Sequence, residues 1–213
     1  MRYLGELISE SEWSRQYRAG PNSTFYESKF LVDGLKIDLS TLSSRWSWMK
    51  PEERYDFALA FGAKTSLDGD DEAVLSFLML SGDEAVWRLI ALKLARHRDR
   101  DAVVQFLSQR IQQSKGSKGS YYQAAEELED VRLLPILEED FRHFNSSLQL
   151  FSQDVGQDPA PLREYLQLCK TLAAITGRDE YLSIIRSALE HSLPLVRRKA
   201  QLLLGVAGES EVH

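Results

Sequence analysis

The chain has 213 residues, with 26 Lys and Arg against 32 Asp and Glu and a formal net charge of −6 at pH 7. With 43% apolar and 27% charged residues it is too apolar to be mostly disordered, and its one cysteine, Cys169, excludes an intramolecular disulfide or a multi-cysteine zinc site. The negative balance argues against non-specific nucleic-acid binding, whose affinity comes from neutralising phosphates with Lys and Arg.

In chain order, residues 1–38 form a cap segment. Its start, MRYLGELISESEW, lacks the apolar core of a signal peptide, and no later stretch reaches about 18 uninterrupted apolar residues. The expected location is therefore cytoplasmic. A helix over 1–18 would place Leu4, Leu7, Ile8 and Trp13 on one side. Asp33-Gly34 then sits between two alternating runs from Phe25 to Leu39. This is either a small β-hairpin, since Asp-Gly accepts the positive φ of a tight turn, or a loop into the first helix.

Residues 39–208 read as all-α, because 32 leucines with few turn-formers (Gly 12, Pro 6) favour helices. Aliphatic segments starting at Val74, Val103, Leu133 and Tyr181 share one pattern and lie 29, 30 and 48 residues apart. The last spacing contains an insertion at 145–161 with loop chemistry, NSS and GQDPAP. Each segment follows an acidic residue, as a helix N-terminus favours. Second helices lie between them, at 83–97, 120–129, 162–175 and 194–206. Inward positions recur as Val86, Ile90, Leu94, as Tyr121, Ala125, Leu128, and as Val196, Ala200, Leu203. Ser81-Gly-Asp-Glu84 has capping-box spacing, and Gly177 is a helix stop. Helices at 39–49 and 52–64 make a fifth pair, with Trp46, Trp48, Phe57 and Phe61 in the contact. Residues 209–213 are a polar tail.

The stretch Leu193-Pro-Leu-Val-Arg-Arg-Lys-Ala-Gln-Leu-Leu-Leu-Gly205 resembles the second helix of a HEAT-type repeat, and Asp83-Glu-Ala-Val-Trp-Arg88 is similar. The resemblance implies an α-solenoid of about five helical pairs over 39–208, whose second helices line a concave face. It thereby marks Arg88, Lys93, Tyr122, Glu126, Glu129, Arg197, Arg198 and Gln201 as partner-binding candidates. An outward Tyr beside charges of both signs suits a protein partner. The expected function is a protein-interaction module, scaffold or adaptor, with an inhibitor or immunity-type protein as a variant suggested by the acidic runs 126–130 and 138–140. HEAT-like enzymes, DNA glycosylases or bilin lyases, are the alternative.

Other motifs have plainer readings. Asp68-Gly-Asp-Asp-Glu72 lacks EF-hand spacing and reads as helix capping. Lys115-Gly-Ser-Lys-Gly-Ser120 has the composition of a phosphate loop without the Gly-Lys-Ser/Thr order, and reads as a loop. His97, His143, His191 and His213 are too scattered for a helical metal site and read as cations near helix C-termini. Cys169 lies in an apolar helical pattern as a buried small hydrophobe. No catalytic constellation, metal site or cofactor signature is legible.

Overall fold

The computed structural model describes residues 37–64, 66–147 and 158–206. These residues are helical, with no strand among them. They divide into two compact units, one ending at Arg100 and one beginning at Asp101. The helix expected at 1–18, most of the possible hairpin and the tail lie outside the described residues. The end of the second alternating run leads into a helix, because the Asp38 carboxylate accepts the Ser40 N–H at 3.0 Å and starts it.

The first unit holds α1 (Leu39–Trp46), α2 (Pro51–Gly62), α3 (Gly69–Ser81) and α4 (Glu84–Leu94). Pro51 opens α2, where its missing N–H costs nothing, and Glu53 accepts the Lys50 N–H at 2.9 Å. Asp68 caps α3 by accepting the Asp71 N–H at 2.9 Å, so this acidic cluster does cap a helix. The cap of α4 is Asp83, which accepts the Ala85 and Val86 N–H groups, both at 3.1 Å. Ser81 is instead the last residue of α3, so the capping box expected from Ser81 does not form.

Packing in this unit joins α1 to α3, α2 to α4 and α3 to α4. Trp46 meets Phe57 and Phe77 edge-on at 6.0 and 5.7 Å, and Phe57 stacks on Phe61 at 6.2 Å. Trp48, expected in this contact, is 86% exposed. The reason is that α1 ends at Trp46, so Trp48 lies in the following turn, outside the helical register.

The second unit holds α5 (Arg100–Gln113), α6 (Gly119–Leu128), α7 (Leu134–Ser147), α8 (Pro159–Thr176), α9 (Asp179–Ser187) and α10 (Pro194–Leu204), with 3₁₀ turns at Val131–Leu133 and Ala188–Glu190. The expected insertion is narrower than 145–161, since α7 runs through Ser147 and α8 starts at Pro159. Helix α8 packs on α6, α7, α9 and α10. Contact with four neighbours buries it on nearly every side, from Leu162 through Leu172. Phe141 stacks on Tyr165 at 5.5 Å and meets Tyr181 edge-on at 5.1 Å. Gly177, at φ 69°, ends α8 as expected.

Two histidines close turns between helices. His97 Nδ1 accepts the Asp99 N–H at 3.1 Å, and His191 Nδ1 accepts the Leu193 N–H at 3.1 Å. An accepting Nδ1 places the proton of a neutral ring on Nε2, and in His97 that atom lies 2.8 Å from Ser76 Oγ. Each ring caps a turn through Nδ1, three residues before α5 and α10 respectively.

Candidate functional site

The helices numbered second in each sequence pair come together within the second unit, where α8 packs against both α6 and α10. Side chains from these three helices and the turn before α6 line a cleft of about 300 Å³: Ser117, Gly119, Ser120, Gln123, Ala160, Arg163, Glu164, Gln167 and Lys199.

The entry to α6 is fixed from two sides. Lys118 Nζ donates to both Asp140 oxygens on α7, at 2.8 and 2.9 Å, and the Lys118 N–H donates to Glu164 on α8 at 2.7 Å. Asp140 also accepts the Tyr122 hydroxyl at 2.8 Å. Burial, then the Asp140 charge, push the Tyr122 phenol up, which keeps it a proton donor. The wall that carries Ser117, Gly119 and Ser120 is thus held by charge-assisted bonds in a low-dielectric setting, where such bonds are strong.

The floor is a polar chain across three helices. Lys199 Nζ on α10 donates to Gln167 Oε1 at 2.7 Å, and Gln167 Nε2 donates to Glu126 on α6 at 2.8 Å. Gln167 is buried, so its amide fixes the direction of Lys199. Burial, and then the Arg163 charge nearby, hold the Lys199 ammonium below the usual lysine range, against an opposing pull from Glu126. Burial pushes the Glu126 carboxyl up, opposed by Lys170, the Gln167 amide and Lys199. Arg163 is exposed at the rim. The cleft therefore presents two cations against one carboxylate, Glu164, with amides and hydroxyls between them.

The candidates read from sequence are dispersed. Arg88 and Lys93 lie in the first unit and the others in the second. Tyr122 and Lys93, read as outward, are both buried. Tyr122 turns in because its hydroxyl finds Asp140, which lets a phenol be buried at little cost. Lys93 turns in because its ammonium donates to the Lys64 carbonyl. Arg88 is half-buried and pairs with Glu84 at 3.1 Å. Arg197 donates to the His191 and Ser192 carbonyls at 2.8 and 3.0 Å, which makes it a turn clamp. Glu126 is drawn into the cleft floor and Gln201 is half-buried. Glu129 and Arg198 are exposed as expected, with Glu129 at a left-handed helix end, φ 50°.

The acidic runs are largely engaged within the fold. Asp130 holds Arg132 at 2.7 Å and Asp140 holds Lys118 at 2.8 Å. Residues that the sequence reading left out of the site are Arg163, Gln167 and Lys199. Lys199 carried a local signal as the end of the basic run Arg197-Arg198-Lys199, Arg163 and Gln167 carried none, and three members of the Gly/Ser stretch 115–120 line the same cleft. Cys169 is fully buried, and burial pushes its thiol up to about 12, which suits a packing role. Among the described residues no group of three His, Cys, Asp or Glu side chains is placed to hold a metal ion, and no helix is long and apolar enough to cross a membrane.

In comparisons with protein-family models, curated proteins and solved structures, the chain matches none of them.

Proposed function

We propose that this protein is a helical recognition module that binds a protein partner across its second helices, and that its helical pairs are of the HEAT-like kind. The pairing supports the second part. Neighbours in sequence pack as α3 with α4 and α8 with α9, while second neighbours pack as α2 with α4, α6 with α8 and α8 with α10. That double pattern is what helical pairs stacked side by side produce.

The observation that carries the binding function is the outer side of α10. Leu195, Leu202 and Val206 are 50, 71 and 53% exposed, and Arg198 is exposed among them. On α10, positions 195, 198 and 202 follow helical spacing, so Leu195 and Leu202 form one stripe with an arginine between them, and Val206 follows beyond the helix end at Gly205. Apolar surface with Arg is the composition of interface cores. The test is affinity capture of the tagged full chain from its native cells, beside the Leu195→Glu, Leu202→Glu double variant. A stoichiometric partner on the parent, lost on a variant of unchanged melting temperature, is the expected result. A partner held equally by both would remove α10 from the interface, and no partner at any salt concentration would end the reading.

A further inference from the structure

Three features of the second unit converge on one cleft and are independent of the α10 stripe. The first is charge. Lys199 and Arg163 line the same 300 Å³ space from α10 and α8, and the Arg163 charge raises the electrostatic cost of the Lys199 charge. Glu164 on the wall and Glu126 in the floor offset part of this charge, and like charges held this close are an arrangement that an anion relieves further. Arg163 is exposed at the rim of the cleft, where its planar donor fork can reach a ligand.

The second feature is a built floor. Gln167 is buried and engaged with Lys199 on one side and Glu126 on the other, at 2.7 and 2.8 Å. The Lys199 ammonium is thus aimed before any ligand arrives, and preorganised donors bind more tightly because less freedom is lost. One of its three protons is committed to Gln167, which leaves the others for a ligand.

The third feature is the opposite wall. Ser117, Gly119 and Ser120 bring small side chains and hydroxyl donors to the cleft, and the Lys118 bonds to Asp140 and Glu164 fix this wall in place. The volume lies at the lower end of ligand pockets, enough for a tetrahedral anion and a small attached group.

We propose that this cleft binds a phosphate-class oxyanion carried by a small molecule, with Arg163 and Lys199 as its charged contacts and Ser117, Ser120 and Gln123 as neutral donors. Tetrahedral geometry follows from donors on three helices surrounding one space. A flat carboxylate would satisfy the Arg163 fork and leave the Ser117 and Ser120 side unfilled.

The test is calorimetric titration of the full chain at low ionic strength with inorganic phosphate, pyrophosphate and acetate. Saturable one-to-one binding of phosphate or pyrophosphate is expected, weakening as salt is added, with acetate at least about tenfold weaker. Arg163→Gln changes an exposed residue and keeps the fold, and it is expected to weaken phosphate by about tenfold, the scale of one charge-assisted contact. Glu164→Gln, which takes the carboxylate off the wall and retains an acceptor for the Lys118 N–H, is expected to tighten it severalfold. Arg186→Gln, at an exposed arginine paired with Asp179 on α9, is expected to change nothing. Absence of saturable binding, an equal loss in Arg186→Gln and Arg163→Gln, or acetate binding as tightly as phosphate would each overturn the proposal.

Discussion

Glu126 shows how far a residue's role depends on what surrounds it. On an isolated helix it is a solvated carboxylate, and the HEAT resemblance makes it a candidate as an outward residue of a second helix. In the fold it lies half-buried, accepting from Gln167 beside Lys199, and burial raises its pKa. A carboxyl whose folded value is raised holds its proton to higher pH than the same group in the unfolded chain. The native state therefore binds more protons in that interval, and this group's contribution to stability falls as pH rises through it. Below the ordinary glutamate value both states are protonated and the contribution is constant. Glu126→Gln keeps an acceptor for Gln167 and removes the titration. Its melting temperature relative to the parent is expected to rise as pH goes from about 4 to 7. A gap that does not vary with pH would show that Glu126 ionises in the fold as it does in water. Tyr122 and Lys93 teach the same lesson in the other direction. Each has an amphipathic side chain whose polar tip found a buried partner, Asp140 on α7 and the Lys64 carbonyl at the end of α2. Those partners lie 18 and 29 residues away, beyond the reach of local spacing.

Helix positions were far more legible than helix surroundings. Period-3.6 patterning placed each second helix to within a few residues, because an apolar stripe and its caps are local properties. The number of neighbours is not local. Helix α8 has four, so its polar residues Gln167 and Thr171 are buried and form bonds that an amphipathic reading assigns to water. Close approach is equally hidden. At Gly62 on α2, an added Cβ would stand 2.5 Å from the Leu89 carbonyl oxygen on α4, which is backbone and cannot swing away. Gly62→Ala must therefore push the α2 and α4 backbones apart. A loss of about 1 to 3 kcal/mol is expected in urea unfolding, larger than the gain of up to about 1 kcal/mol from alanine's helix propensity. The same change at Gly69, where an added Cβ meets nothing, is expected to be neutral or stabilising. Equal effects at the two sites would mean that α2 and α4 are not packed this closely.

Each of the two units has a core of its own, and each core holds a contact of a different kind whose loss can be measured. In the first, Lys64 Nζ meets both Asp71 oxygens, at 2.5 and 2.6 Å, with both residues buried. In the second, α10 is seated on α8 with Ala200 fully buried. Asp71→Asn keeps an acceptor and removes the charge of one member of a buried ion pair, a change that costs about 3 to 5 kcal/mol. Ala200→Leu adds three carbons where none fit and is expected to cost about 1 to 3 kcal/mol. The first loss is electrostatic and the second steric, and the residues belong to separate units with no common partner. Distant sites without shared partners add to within about 0.5 kcal/mol. The double variant, measured by the same urea titration, is therefore expected to lose the sum of the single losses. A departure of more than about 1 kcal/mol in either direction would show that strain or relaxation passes between the cores, because neither substitution touches a residue that the other does.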